Sequence, residues 1–502
     1  MNANLYTLFE SHFPSGAEQP LLVIPNGPVI HYDDIQAMSA RLAHALVAIG
    51  CRPGDRVAVQ TDKHWQVLAL YLACLRAGLI YLPLNTAYQR GELGYFFADA
   101  EPRVIVCSPE NLGLVATLAR GATVLTLDAH GGELADRAAS CPATFETVVS
   151  RPDDLAALVY TSGTTGRSKG AMLTHRNIAS NALALVEAWG FTRGDVLLHA
   201  LPIYHVHGLF VAIHCVLLSA SRMLWLPRFD AREIAGLLPR ATVMMGVPTF
   251  YSRLLSEPAF SRESCRTIRL FVSGSAPLLP ETFDAFHKRT GMTILERYGM
   301  SETGMCTSNP LLGARVAGTV GRPLPGVEVR VVAEDGALCP PGNIGIVQMR
   351  GPNVFAGYWR MPEKTREEFT HDGFLKSGDL GEWVPDGPGK GYLRLVGRAK
   401  DLIITGGLNV YPKEIEERID SMEGVIESAV IGLPDPDFGE RVTAVVVGHS
   451  GHALSEAGII AALKREIASF KVPKSVHFVD ELPRNAMGKV LKSALREQFS
   501  SA

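Results

Sequence analysis

Strand-length apolar runs recur through residue 274: RVAVQT (56–61), RVIVCS (103–108), LAALVYTS (155–162), DVLLHALPI (195–203), RMLWLP (222–227), TVMMGVP (242–248) and IRLFVSG (268–274). Helix-length stretches such as 33–49 and 66–77 separate them. Runs this short and this rich in Val, Ile and Leu suit strands buried on both faces, as in sheets layered with helices. An α/β body is therefore expected over the first three-quarters of the chain. Several runs end in TSGTTG, LPIYHVHG, GVPT or SGSAP, loops of the kind in which open α/β sheets bind ligands.

Beyond about residue 312 the texture changes to short strands punctuated by Gly and Pro. From roughly residue 399 a unit of about 100 residues follows, the size of a small α+β domain. Its expected helices are 412–422, 455–469 and 489–498, with a strand pair in VIESAVIGLPDPDFGERVTAVVV and a strand at 475–480. The 502 residues are 47% hydrophobic with 48 Lys+Arg against 51 Asp+Glu, so extensive disorder and a polyanion-binding surface are both disfavoured. No uncharged apolar window is long enough to span a bilayer, and the N-terminus lacks a basic segment followed by an apolar one. The eight cysteines show no C-x-x-C spacing, so they read as reduced packing residues of a cytoplasmic protein.

The loop YTSGTTGRSKG (160–170) follows an apolar run and precedes the amphipathic stretch 174–188. Its glycines, hydroxyl residues, Arg167 and Lys169 offer backbone N–H groups, side-chain donors and positive charge to a polyphosphate. Ser168 stands where a Walker A loop needs Gly, so this is a different cradle.

The string resembles the phosphate loop of the adenylate-forming superfamily of acyl-CoA synthetases, adenylation domains and luciferases. SGSAPL (273–278), ERYGMSET (296–303), SGDL (377–380), GRAKD (397–401) and PRNAMGK (483–489) follow in that family's order. The resemblance implies a large multi-sheet N-terminal domain (1–396), a hinge (397–400) and a mobile α+β C-terminal domain (401–502). It assigns Thr161, Ser162, Gly163, Thr164, Thr165, Gly166 and Lys169 to the ATP phosphates. Ser275, Ala276, Glu296, Tyr298, Gly299, Met300 and Ser301 fall in the adenine-binding segments, with Tyr298 packing on the base. Asp379 and Arg398 fall to the ribose, and Arg394 and the hinge residue Lys400 are counted with the nucleotide site. Magnesium is expected near Thr165 and Glu302, and Lys489 takes the place of the catalytic lysine. Lysines in that context are reversibly acetylated in related synthetases, which implies a lysine acetyltransferase and deacetylase acting on Lys489.

The chemistry explains these groups. A carboxylate cannot acylate a thiol because oxide is too poor a leaving group, so the acid first attacks the α-phosphate of ATP in line. Positioning and charge stabilisation dominate such a transfer. Lys489 would bridge carboxylate and α-phosphate. The C-terminal domain would then rotate about Lys400 so that GGLNVYPKEIE (406–416), with Gly406 and Gly407, admits the thiol arm of coenzyme A. Arg441, Lys471 and Lys474 are candidates for the coenzyme A phosphates.

Longer segments, including YLPLNTAYQRGELGYFFADAEP (81–102), LPIYHVHGLF (201–210) and GPNVFAGYWRMPEKT (351–365), are most similar to malonyl-CoA synthetases. A short diacid leaves a second carboxylate in the pocket, and an unpaired buried anion costs several kcal/mol. Arg297 is the first candidate cation and Arg253 the second, with His205 and His207 as polar neighbours. His205 is expected to position the reacting carboxylate rather than act as a base. Val206 stands where HTHG is common in malonyl-CoA synthetases, which leaves malonate and methylmalonate both open, and Met305 is assigned to the same wall. The alternatives are a monocarboxylate CoA ligase for short, medium-chain or aryl acids, a module loading a carrier protein in trans, and a non-catalytic nucleotide-binding or acyl-binding protein.

Overall fold

The computed structural model describes residues 2–15, 19–161, 168–405, 408–435, 437–449, 452, 454–485 and 488–500. Two mixed sheets form the α/β body. A nine-stranded sheet runs in the order Arg322–Pro323, Gly304–Ser308, Ile294–Met300, Leu270–Ser273, Val243–Gly246, Val196–His199, Arg222–Trp225, Pro20–Val23, Val29–His31. A seven-stranded sheet runs Gly357–Tyr358, Lys169–Thr174, Leu155–Thr161, Ile80–Pro83, Arg56–Gln60, Val104–Cys107, Thr123–Thr126. The apolar runs anticipated as strands lie in these sheets, most of them in parallel pairs. They divide into two layered units where the sequence suggested one body.

The core joins both sheets through helices that are apolar all round. Trp65–Arg76 is buried from Val67 to Arg76. The Nη1 of its terminal guanidinium donates to the Gln36 carbonyl and Ser39 Oγ and the Nη2 to the Phe145 carbonyl. The π-helical turn His207–Ile213 and the helix His214–Ser219 are likewise embedded. By contrast, His175–Trp189 is amphipathic and begins at a Thr174–Asn177 capping box, which fixes the end of the strand leaving the phosphate loop.

A four-stranded antiparallel sheet, Glu328–Val332, Gly345–Arg350, Leu375–Trp383, Leu393–Arg398, closes the body. Its outer strand runs into the short turn Ala399–Asp401, and Ile403–Thr405 then starts a five-stranded sheet with its own core. The helices of this last unit are Pro412–Asp420, Glu456–Glu466 and Lys492–Ser500. Their apolar positions match the sequence expectation, with ends shifted by a few residues. No helix among the described residues is long and apolar enough to cross a membrane. All eight cysteines are free, six of them buried.

Candidate active site

The strands Leu155–Thr161 and Lys169–Thr174 pair antiparallel, with Thr161 opposite Lys169, so the phosphate-loop string bridges two adjacent strands. Ser162, Gly163, Thr164, Thr165, Gly166 and Arg167 lie outside the described residues. At its flanks, Lys169 is 6% exposed, pairs with Glu368 at 3.4 Å and has its Nζ 4.2 Å from the centre of the Tyr358 ring. Glu302 accepts a hydrogen bond from the Tyr358 hydroxyl at 3.1 Å and a longer one from Thr161 Oγ1 at 3.4 Å. Burial raises the Glu302 carboxyl. A buried carboxylate beside an anion cradle calls for a cation, so Glu302 fits a magnesium-associated role. Among the described residues no cluster of His, Cys, Asp or Glu forms a complete metal site, which leaves the other ligands of such an ion to phosphate oxygens and water.

Ile294–Met300 and Gly304–Ser308 form a tight hairpin. A Cβ on Gly299 would stand 1.9 Å from the Gly304 carbonyl oxygen, which is why glycine follows Tyr298. The Tyr298 hydroxyl donates to Asp379 at 2.5 Å. Asp379 faces Arg398 across the Leu375–Trp383/Leu393–Arg398 ladder and pairs with its Nε at 2.8 Å. Motifs 81 residues apart in sequence thus share one polar cluster. Glu296 accepts the Leu278 N–H at 3.1 Å, leaves Oε2 without a partner, and is pushed up to about 7 by burial. Met300 and Ser301 are half-buried at the hairpin tip, and Ala276 is half-buried in the loop after Leu270–Ser273. Arg394 instead pairs with Glu382 at 3.1 Å, and Lys400 is exposed.

Behind this cluster stands a cationic pocket. Arg297 is 3% exposed, its Nε and Nη2 have no hydrogen-bond partner, and burial pushes it down to about 9. Its charge, after burial, lowers both His205, to about 4, and His207, well below its ordinary value. Both imidazoles are therefore neutral near pH 7. His207 Nδ1 lies 3.3 Å from Ser275 Oγ, and its Nε2 has no partner. Ser275 has φ 74°, a left-handed conformation that a serine adopts at a cost and that clusters at binding sites. Met305 is held through its backbone by the Asn181 amide.

One substrate expectation, Arg253, lies away from Arg297. Arg253 is exposed, because its helix Pro248–Leu255 turns Tyr251 and Leu254 inward. Val206 is buried and lines a small void with Asn177, Asn181 and Gly304. The sequence also gave no sign of Lys63, whose ammonium reaches His199 Nδ1 at 2.7 Å and lies 4.3 Å from the Trp225 ring centre. His199 Nε2 lies 3.0 Å from the Gly208 carbonyl oxygen, bracing the turn that carries His207.

The C-terminal domain reaches the same cleft. Lys489 is exposed to the cleft, yet the surrounding protein lowers its ammonium, first by desolvation and then through Arg398, with Asp379 opposing. Next to it, a Cβ on Gly488 would stand 3.5 Å from the Thr249 side chain, so this loop abuts the GVPT segment. Gly406 and Gly407 lie outside the described residues. Lys471 is engaged by Glu414 at 2.7 Å, Lys474 lies 5.3 Å from the Phe438 ring centre, and Arg441 Nε is buried without a partner.

Comparison with known proteins places this geometry. The AMP-binding enzyme family matches residues 18–359, and the AMP-binding enzyme C-terminal domain matches 414–489. A mitochondrial malonate–CoA ligase, ACSF3, of Mus musculus is 36% identical over 93% of this chain and 86% of its own. A feruloyl-CoA synthase of an Amycolatopsis species is also 36% identical, over 94% of each chain. The crystal structure of ATP-bound MatB from Rhodopseudomonas palustris superposes with a TM-score of 0.96 at 53% identity, covering 100% of this chain and 99% of that one. The apo form of MatB gives 0.85 over the same coverage.

Proposed function

The chain belongs to the AMP-binding enzyme family, and from that premise we propose that it ligates malonate to coenzyme A through an acyl-adenylate, releasing AMP and pyrophosphate. Methylmalonate, whose extra methyl suits Val206, is the second acid within the same reading. Equal identity to a malonate ligase and to a feruloyl-CoA synthase leaves the acid to be argued from the pocket.

The carrying observation is Arg297: a buried guanidinium with two unpartnered nitrogens, beside His207 Nε2, which also lacks a partner. A second carboxylate placed there would supply the missing counter-charge and acceptors, and charge-assisted hydrogen bonds of this kind are among the strong ones. The same guanidinium would oppose a long aliphatic or aryl tail. His205, neutral and less buried than His207, orients the reacting carboxylate. No base is needed, because the nucleophile is already ionised.

Lys489 bridges that carboxylate and the α-phosphate, and Lys169 with the phosphate loop holds the β- and γ-phosphates. Asp379 and Arg398 hold the ribose. Glu302 fits the position of a magnesium ligand, and such an ion would supply charge stabilisation for the departing pyrophosphate. Rotation at residues 397–400 then removes Lys489 and admits coenzyme A, with Lys474 and Arg441 as phosphate partners. Acetylation of Lys489 by a lysine acetyltransferase would delete its charge and stop the first step. A cytoplasmic location fits the free cysteines.

Hydroxamate-trapped adenylation with malonate, methylmalonate, acetate and octanoate tests the reading. Malonate or methylmalonate should be preferred by at least about tenfold, equivalent to about 1.4 kcal/mol. A preference for octanoate overturns it.

A further inference from the structure

The motifs leave Lys413 without a role. It lies in the first turn of the helix Pro412–Asp420, whose inward face is Pro412, Ile415 and Ile419. Lys413 is off that face and reaches out of its own domain. Its Nζ donates to the Leu395 carbonyl at 2.6 Å. Leu395 belongs to the outer strand of the four-stranded sheet, where backbone acceptors lack a neighbouring strand and need another donor. Its charge also acts on Glu296, the buried carboxylate whose Oε2 has no hydrogen-bond partner. Within its own helix Lys413 has only Glu417, at 3.8 Å.

We infer that Lys413 is a positioning residue for adenylation: seated on the Leu395 carbonyl, it holds the C-terminal domain in the arrangement that presents Lys489 to the nucleotide site. Undocking leaves an edge carbonyl without its donor and removes a cation that acts on a buried carboxylate, both of which cost free energy. Glu417 then offers the released ammonium an exposed partner, so leaving the docked arrangement is not blocked. Docking and release are both needed because the two chemical steps use different faces of the small domain, and in this respect the inference rests on the proposed two-step reaction. Lys413 touches no reacting atom in this arrangement. It acts through the placement of Lys489.

The Gly488–Thr249 approach supplies a readout that needs no substrate. In a Thr249→Cys/Gly488→Cys protein the two thiols meet only in the docked arrangement, and the rate of their oxidation, followed by peptide mapping, reports its population. Adding Lys413→Met should slow cross-linking about tenfold, and Lys413→Arg, which keeps charge and donor, should restore most of it. Equal rates with and without Lys413 overturn the inference whatever acid the enzyme uses. In the wild-type thiol background, Lys413→Met should slow single-turnover pyrophosphate release about tenfold while the coenzyme A step from pre-formed adenylate changes less than about twofold. Equal slowing of both steps also overturns it. Absence of pyrophosphate exchange in the wild-type protein with every acid tried would instead count against the proposed reaction, with the cross-linking result still deciding whether Lys413 holds the docked state.

Discussion

The guanidinium of Arg297 lies so close over Gly274 that a Cβ at that position would stand 2.3 Å from Arg297 Cζ and 2.5 Å from its Nε and Nη1. The parallel register of Ser273 with Glu296 sets the two residues side by side. Arg297 is therefore fixed from below by a residue with no side chain.

Gly274→Ala should displace Arg297 with little change at the nucleotide. Because a methyl cannot occupy the space of a planar group packed at this distance, the guanidinium must move or the strand must shift. KM for malonate is expected to rise at least about tenfold with KM for ATP within about twofold, since a charge-assisted contact is worth about 1.5–3 kcal/mol. Steady-state kinetics on both substrates check this. An equal rise in both constants would mean a general distortion of the sheet instead.

Arg297→Met should change which acid is used. The variant removes a buried charge that forms no ion pair within 4 Å among the described residues, with Glu296, itself raised by burial, as its neighbouring carboxyl, so folding should be unharmed or improved. Adenylation of malonate should fall by about 10²-fold as the distal carboxylate loses its cation, while acetate and butyrate lose far less or gain. Pyrophosphate exchange with the three acids measures the ratio. An unchanged malonate-to-butyrate ratio would remove Arg297 from the specificity site.

How much of this was legible in the sequence depended on whether a residue's role is local. The loop 160–170 declares its chemistry within eleven positions, and Arg297 could be singled out from its place beside Tyr298. The need for glycine at 274 is visible only once strand register is known. Arg253 stood second to Arg297 as the candidate cation, but helix phase turns it to solvent while Leu254 is buried. Lys63 with His199 and Lys413 with Leu395 join residues 136 and 18 positions apart, with no motif at Lys63 and none that gives Lys413, inside GGLNVYPKEIE, a role of its own. Their signal exists only in the folded packing.

Lys489→Ala should separate the two half-reactions. Its ammonium stands in a cleft with Arg398 and Asp379, where desolvation strengthens a contact to developing charge. Pyrophosphate release should fall by about 10³-fold. Thioester formation from pre-formed adenylate should fall by less than about tenfold, because the proposed rotation would carry Lys489 away before that step. Single-turnover measurements of each step decide it, and equal losses would refute a role confined to adenylation. Complete acetylation of Lys489 should reproduce the alanine phenotype.

Stability should fall on acidification from pH 6.5 to 5, and buried histidines set the sign. His64 and His175 are held down to about 4 and His214 to about 3 by burial, with His199 and His207 also well below their ordinary value. In this window the unfolded chain takes up protons at these five positions that the folded protein refuses, so their contribution is complete above pH 6.5 and is lost as pH falls. Glu296, raised to about 7, and Asp420, raised to about 8, act in the opposite sense: the folded state keeps protons that the unfolded chain releases, and their contribution is lost as pH rises. With His205 also held down to about 4 and Glu302 also raised by burial, six histidines stand against three carboxyls, and the unfolded state still carries more bound protons across pH 5 to 6.5. Urea unfolding at intervals through this range should therefore show stability rising with pH, each net proton adding about 1.4 kcal/mol per pH unit at the limit. His214→Phe, placed among Phe9, Tyr71 and Phe210, should lower the whole curve by stranding the Tyr71 hydroxyl and should also flatten its slope by close to one proton. A slope unchanged by that substitution would mean that His214 does not titrate differently in the folded and unfolded states.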